Sequence, residues 1–241
     1  VVVDTNRPGM TECEELLHVA KTIVVLDHHR QSSDNIDNAL LSYIEPYASS
    51  ACEMVSEVLQ YIVDDIKIPN LEASSLYAGI MIDTNNFMNK TGVRTFEAAA
   101  FLRRSGADIT LVRKMFRDDM ESYRAKAQII SSAEVYHNKY AIARGENLTI
   151  ESPTIIGAQA ANELLDINEV KASFVLTTYN GRIYVSARSI DEVNVQIIME
   201  RLGGGGHMNA SGAQFDHTDM DEAVADLKQV IDDVIEGGEI E

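Results

Sequence analysis

The chain alternates between short, almost wholly apolar runs and longer stretches in which apolar residues recur every three or four positions. The first pattern predicts buried strands and the second amphipathic helices. Residues 1–4, 22–27 and 41–45 read as strands, the last closed by Pro46. Helical spacing covers residues 11–20, with apolar Leu16, Leu17 and Ala20. It returns over 51–63, where Ser50-Ala-Cys-Glu53 has capping-box spacing. Residues 71–82 are apolar on most faces, which predicts a helix at the centre of a domain. A further helix over 94–104 stops at Gly106, and Asp108 caps the next. Strands alternating with helices predict an α/β fold, a mainly parallel sheet flanked by helices, over residues 1–118. Residues 119–135 read as a polar-faced connecting helix.

A smaller α/β domain is expected over 136–241. Its elements are a strand at 139–143 and a helix at 153–165, with Pro153 at the first helical position. Strands at 172–178 and 182–188 are joined by the hairpin dipeptide Asn180-Gly181. A helix over 194–202 runs into Gly203-Gly-Gly-Gly206, and a strand near 213–215 precedes an acidic helix over 219–235.

At 241 residues the chain has room for one large domain or two smaller ones. The net charge of −18 argues against a long electrostatic track for nucleic acid. A small anionic substrate stays open, because bound metal ions reverse the local sign. Cys13 and Cys52 make no disulfide framework; both fall in helical patterns and are expected to be buried thiols of a reducing compartment. No apolar stretch approaches the ~20 residues that span a bilayer, and no signal peptide is visible. The chain starts without Met inside a strand pattern, so an earlier part of the same sheet is expected upstream.

Three apolar segments end on acids: Val1-Val-Val3 on Asp4, Thr22–Leu26 on Asp27-His28-His29, and Ala78–Ile82 on Asp83. Open α/β sheets carry their chemistry at the C-terminal ends of strands. Asp4, His28 and Asp83 are therefore candidate metal ligands, a set of oxygens with one imidazole that suits Mn²⁺, Mg²⁺ or Fe²⁺. Each alone has a plain alternative: a turn acid, a strand-end histidine, a helix stop. Their recurrence in one domain favours ligation. Asp27 is expected to orient the neighbouring ligand histidine from behind. His29 should point away from His28 if the strand continues, towards a substrate phosphate or into packing.

Gly203–Gly206 with His207 and Ser211-Gly212 form a second constellation, in which consecutive backbone N–H groups can cradle an anion. Arg188 is either a phosphate partner or an ion-pair partner of Asp191 or Glu192. Met54, Met81, Met88, Met115, Met120 and Met199 follow helical faces and are expected to pack. His18, His137 and His217 are expected at the surface.

The Asp27-His28-His29 triplet, the flanking acids and Gly-Gly-Gly-His207 together resemble the DHH–DHHA1 phosphoesterase family along the whole chain. Residues 41–50, 94–107 and 186–207 further resemble its bacterial cyclic-di-AMP phosphodiesterases. The resemblance implies a DHH domain (1–118) that is N-terminally incomplete, since the family's first motif, His-x-x-x-Asp-x-Asp, is absent. A DHHA1 substrate domain (136–241) would follow, with the active-site cleft between the two. It implies a binuclear Mn²⁺ centre, Mg²⁺ or Fe²⁺ being alternatives, with Asp4 bridging and His28 and Asp83 completing the second ion's shell. His29, Arg188, Gly204, Gly205, Gly206 and His207 would hold the nucleotide. Cyclic di-AMP would open to linear 5′-pApA. Alternatives are an oligonucleotide or 3′-phosphoadenosine phosphate phosphoesterase, and a nucleotide-binding module without turnover. The chain is expected to be the cytosolic portion of a membrane-anchored bacterial protein. It would have no long nucleic acid partner and no membrane contact of its own, and a homodimer is open to it.

Overall fold

A computed structural model describes residues 1–31, 34–62, 66–190, 193–216 and 219–238. They fall into two compact units, Val1–Arg117 and Asp118–Glu241. In the first unit β1 (Val2–Val3), β2 (Val24–Asp27) and β3 (Leu41–Ile44) form a parallel sheet in that order. Its register pairs Val3 with Leu26 and Asp27 with Ile44. Parallel pairing aligns the strands' C-terminal ends, and the pairing continues one residue past them. The Asp4 N–H donates to the Leu26 carbonyl at 3.0 Å, and the Glu45 N–H to the Asp27 carbonyl at 2.9 Å. Leu17 of α1 (Glu15–Val19) packs with Ile23, Val25 and Ile36.

The described residues of this unit also form α2 (Ala51–Ile62), α3 (Asn70–Asp83), α4 (Val93–Arg104) and α5 (Ile109–Met115). The expected end of α2 at Val63 lies outside the described residues. The cap before it forms as its spacing predicts, the Glu53 N–H donating to Ser50 Oγ at 3.0 Å. Asp108 caps α5 by accepting the Thr110 N–H at 2.8 Å. Ala73 and Ile80 of α3 interlock with Ala98 and Leu102 of α4, small residues on each side letting the helices close. Helix α3 is less enclosed than its composition predicts, for Leu71 and Ile82 are exposed at its ends.

The second unit is built on a six-stranded mixed sheet, β4 (Glu134–Tyr136), β5 (Tyr140–Gly145), β6 (Ala172–Tyr179), β7 (Arg182–Ser189), β9 (Ala210–Phe215) and β8 (Gly205–His207), in that spatial order. Only β5 and β6 run parallel; the other neighbours are antiparallel. Alternate residues feed two cores. Tyr140, Ile142, Phe174 and Leu176 face α8 (Val195–Arg201) and α9 (Met220–Glu236). Ala141, Ala143 and Val175 face α6 (Met120–Ser131) and α7 (Pro153–Leu164).

The second unit's sheet carries two edge strands, β4 and β8, beyond those the sequence pattern predicts. Helix α6 groups with the second unit, since Ala125 and Ile129 are buried in that unit's core against α7. Asn180 (φ 50°) and Gly181 (φ 73°) make the β6–β7 turn as their dipeptide predicts. No helix among the described residues is long and apolar enough to cross a membrane.

Candidate metal centre

The end of β2 decides the site. Asp27 is its last residue and is fully buried. Its carboxylate accepts from Asn6 Nδ2 at 2.6 Å, from the His29 N–H at 3.1 Å and from His29 Nδ1 at 2.8 Å. Burial pushes this carboxyl up, but the His29 ring, the His29 N–H and Asn6 together hold it below the usual carboxylate range. An ionised Asp27 fixes Nδ1 of His29 as the donor and leaves Nε2 to face outward, an assignment read from the bonding pattern. Asp27 therefore orients His29, and not His28 as the sequence suggests. Because the strand stops at Asp27, alternation fails beyond it: the His28 and His29 rings lie side by side, 4.5 Å between centroids.

His28 is largely buried, and its Nε2 lies 3.3 Å from Asp4 Oδ1 and 3.9 Å from Asp83 Oδ2. Asp4 sits at φ 64°, a left-handed conformation that Asp tolerates better than most residues. Asp4, His28 and His29 each offer one ligand atom, and these atoms lie within 4.8 Å of one another. This oxygen and imidazole set fits a divalent cation of the Mn²⁺, Mg²⁺ or Fe²⁺ kind. Asp83, the last residue of α3, is the near fourth group. Burial pushes its carboxyl up, His28 pulls it down, and the charge of Asp4 raises it again, with a net rise.

Cys52 stands nearby on α2, its thiol pushed up to about 11 by burial and by the charges of Asp83 and Asp4. It stays protonated and inert. Cys13, expected to be buried, is exposed, because helix α1 starts only at Glu15. Beside the site Arg94 clamps Glu57 through two 2.7 Å hydrogen bonds and approaches Glu45 and Glu53.

In the second unit the glycine run is not a free loop. Helix α8 ends in a Schellman motif: the Gly203 N–H donates to the Glu200 carbonyl at 3.0 Å and the Gly204 N–H to Met199 at 2.8 Å, with Gly203 at φ 79°. Gly205–His207 then pair as an edge strand with Ala210–Gly212. A Cβ on Gly204 would fall 2.1 Å from the Gly212 carbonyl oxygen, and one on Gly206 2.6 Å from that of Ala210. Backbone approach thus explains Gly204 and Gly206, and the left-handed φ explains Gly203. Gly205 has open space around it. His207 is exposed. Arg188 is half-buried, held down by burial, and bonds only the Ala187 carbonyl among the described residues. The expected alternative partners Asp191 and Glu192 lie outside the described residues, as does His217.

His18 is exposed as expected, while His137, also exposed, bonds Asp232 at 2.7 Å. Met54 and Met199 pack as expected, but Met88, Met115 and Met120 are exposed at helix ends and turns. Asn6 joins the site through Asp27, and its one signal in the sequence is its place two positions after Asp4.

Comparison with known proteins identifies the family. Residues 1–80 match the DHH family, N-terminal domain, and residues 145–236 match the DHHA1 domain. The chain belongs to the DHH–DHHA1 family. It is 44% identical over 239 residues, 99% of its length, to a cyclic-di-AMP phosphodiesterase GdpP of Geobacillus thermodenitrificans, of which it spans 36%. It is 31% identical to a bifunctional oligoribonuclease and PAP phosphatase NrnA of Mycoplasma genitalium, covering 88% of this chain and 67% of that protein. Among solved structures, an exopolyphosphatase-related protein from Bacteroides fragilis shares the fold, with a TM-score of 0.84 at 23% identity over 96% of this chain and 70% of that one. The chain thus spans about a third of the length of the cyclic-di-AMP phosphodiesterases it matches.

Proposed function

We propose that the chain is the catalytic part of a metal-dependent phosphodiesterase that opens cyclic di-AMP to linear 5′-pApA. The convergence of Asp4, His28 and His29, with Asp83 beside them, at the C-terminal ends of a parallel sheet carries this reading. The 44% identity to a cyclic-di-AMP phosphodiesterase supports its substrate. Asp4, His28 and Asp83 would hold Mn²⁺, two ions in the complete centre, with Mg²⁺ or Fe²⁺ as alternatives. Bound there, the metal supplies Lewis acidity towards a phosphoryl oxygen and makes water a stronger nucleophile.

The chain's own groups do the rest. Asp27 holds His29 in one tautomer and one orientation. With Nδ1 committed, His29 has only Nε2 for chemistry: as an acceptor it fits a cation, and as an N–H donor it fits a phosphate oxygen whose charge grows in the transition state. Arg188, the Gly204–Gly206 backbone and His207 of the second unit would bind the nucleotide, with Gly205 the glycine left open for a ligand to approach.

A second reading takes short oligonucleotides or 3′-phosphoadenosine phosphate as substrate, favoured by the likeness to the oligoribonuclease and PAP phosphatase. Incubating the chain with Mn²⁺ and cyclic di-AMP, pApA or pAp, followed by chromatography, separates these. Linear pApA formed from cyclic di-AMP, and lost in Asp4→Asn, is the expected result. Turnover of pAp or pApA alone moves the assignment to the second reading. Nucleotide binding without any turnover makes the chain a binding module and overturns the enzymatic one.

A further inference from the structure

Directly after Asp83 the chain enters a turn that its own residues make expensive. Asn85, Asn86 and Phe87 all have positive φ, at 46°, 58° and 66°. Asn tolerates that region, whereas Phe is an outlier in it. The conformation is nonetheless held firmly. The Asn86 N–H donates to the Met81 carbonyl at 2.8 Å, the Phe87 N–H to Thr84 Oγ1 at 2.9 Å, and the Asn89 N–H to the Thr84 carbonyl at 2.8 Å. Strain maintained by so many bonds is a mark of function rather than of folding.

Its product is an aromatic stack. Phe87 meets Tyr77 edge-on, with centroids 5.8 Å apart, and lies nearly parallel to Phe96, at 5.8 Å and 16°. Tyr77 and Phe87 anchor the stack on the α3–α4 core, the same apolar cluster that Cys52 joins. Phe96, in the first turn of α4, is 58% exposed. One face of its ring is therefore taken by Phe87 while much of the other side meets solvent. Packing alone does not explain an exposed phenylalanine braced by a strained one.

The stack follows the candidate metal centre directly along the chain. Phe87 stands four positions after Asp83, which limits their Cα atoms to about 14 Å apart, and the turn's hydrogen bonds fold that path back on itself. A candidate metal ligand, Asp83, and an exposed aromatic face thus lie along one short segment, residues 83–96.

We infer that the Phe87–Phe96 stack is the platform on which a purine base of the substrate lies, Phe96 making the contact and Phe87 bracing it. This rests on the nucleotide phosphodiesterase reading above and adds to it a base-specificity element in the first unit. Stacking suits every base but gains most from a large π surface, so a purine is preferred over a bare sugar phosphate.

The test compares AMP with ribose 5-phosphate as ligands of the Mn²⁺-treated chain by calorimetry. Wild type should bind AMP more tightly by about five- to a hundredfold, the span that alanine substitution gives at base-stacking aromatics. Phe96→Ala should remove that preference while leaving ribose 5-phosphate binding in place, and Phe96→Trp should restore it. Equal binding of the two ligands by wild type, or an AMP preference that survives in Phe96→Ala, overturns the platform and spares the phosphodiesterase reading. Binding of neither ligand, with a melting temperature and circular dichroism that report a folded chain, overturns both.

Discussion

Asp27 touches no solvent, yet its carboxylate holds both the backbone N–H and the ring Nδ1 of the exposed His29. Asp27→Asn exchanges one acceptor for a donor against Asn6 Nδ2, so a buried donor loses its partner, at about 1–3 kcal/mol. The sign with pH follows from the depressed carboxyl. Its stabilisation is complete above the unfolded value of about 3.9 and is lost as pH falls through the lower folded value. Wild type should therefore exceed Asp27→Asn in urea stability at pH 7, with the gap closing on acidification below about pH 4. A gap independent of pH would show that Asp27 acts by shape alone. The glycines make a paired case. Gly204→Ala drives a Cβ into the Gly212 carbonyl and should cost about 1–3 kcal/mol. Gly205→Ala meets nothing and should stay within about 0.5 kcal/mol of wild type, while weakening nucleotide binding. Measured melting temperatures and affinities for both variants distinguish a structural glycine from a ligand-facing one. At this scale the sequence brings Asp4, Asp27, His28 and His29 forward but does not give their partners. Nothing local reveals that Asp27 turns to His29, because that depends on β2 ending one residue before His28.

Elements converge on Arg94. From the first turn of α4 it bonds Glu57 of α2, and it approaches Glu53 of the same helix and Glu45 just beyond β3. Glu53 is buried and its other oxygen accepts from Ser49 Oγ at 2.5 Å. Three carboxylates around one guanidinium tie two helices to the sheet's C-terminal end, where Asp4 and His28 emerge. Arg94→Met should lower the urea midpoint by the equivalent of about 1–2 kcal/mol, a figure reduced for the partial exposure of the pair. Part of that loss should return in Arg94→Met/Glu57→Gln, and an additive double mutant would mean the clamp contributes nothing. Elements with strong local signals were legible: the parallel strands from their apolar runs, the β6–β7 hairpin from Asn-Gly, and the caps at Ser50 and Asp108. Strands β4 and β8 were not. Each is three residues long and polar or glycine-rich, and each becomes a strand only because β5 or β9 offers it an edge.

At the scale of the whole molecule, each hydrophobic cluster is drawn from one unit alone, so each unit has a core of its own. A ligand of the first unit should therefore stabilise that unit's unfolding transition. Burial and the charge of Asp4 raise the Asp83 carboxyl, so without a metal its ionised form opposes folding at neutral pH. Saturating Mn²⁺ at a hundred times its Kd should add about 2.7 kcal/mol, which is on the order of 10 °C for a unit of this size. The other unit's transition should stay where it is. Asp83→Asn should reverse the pattern. Its metal-free form should melt above wild-type metal-free protein, because the repulsion is gone, and its response to Mn²⁺ should shrink, because a ligand is gone. A residue that merely ended a helix would show neither effect. Calorimetric scans of wild type and Asp83→Asn, each with Mn²⁺ and with chelator, decide between them. An Mn²⁺ response unchanged by the substitution would remove Asp83 from the centre.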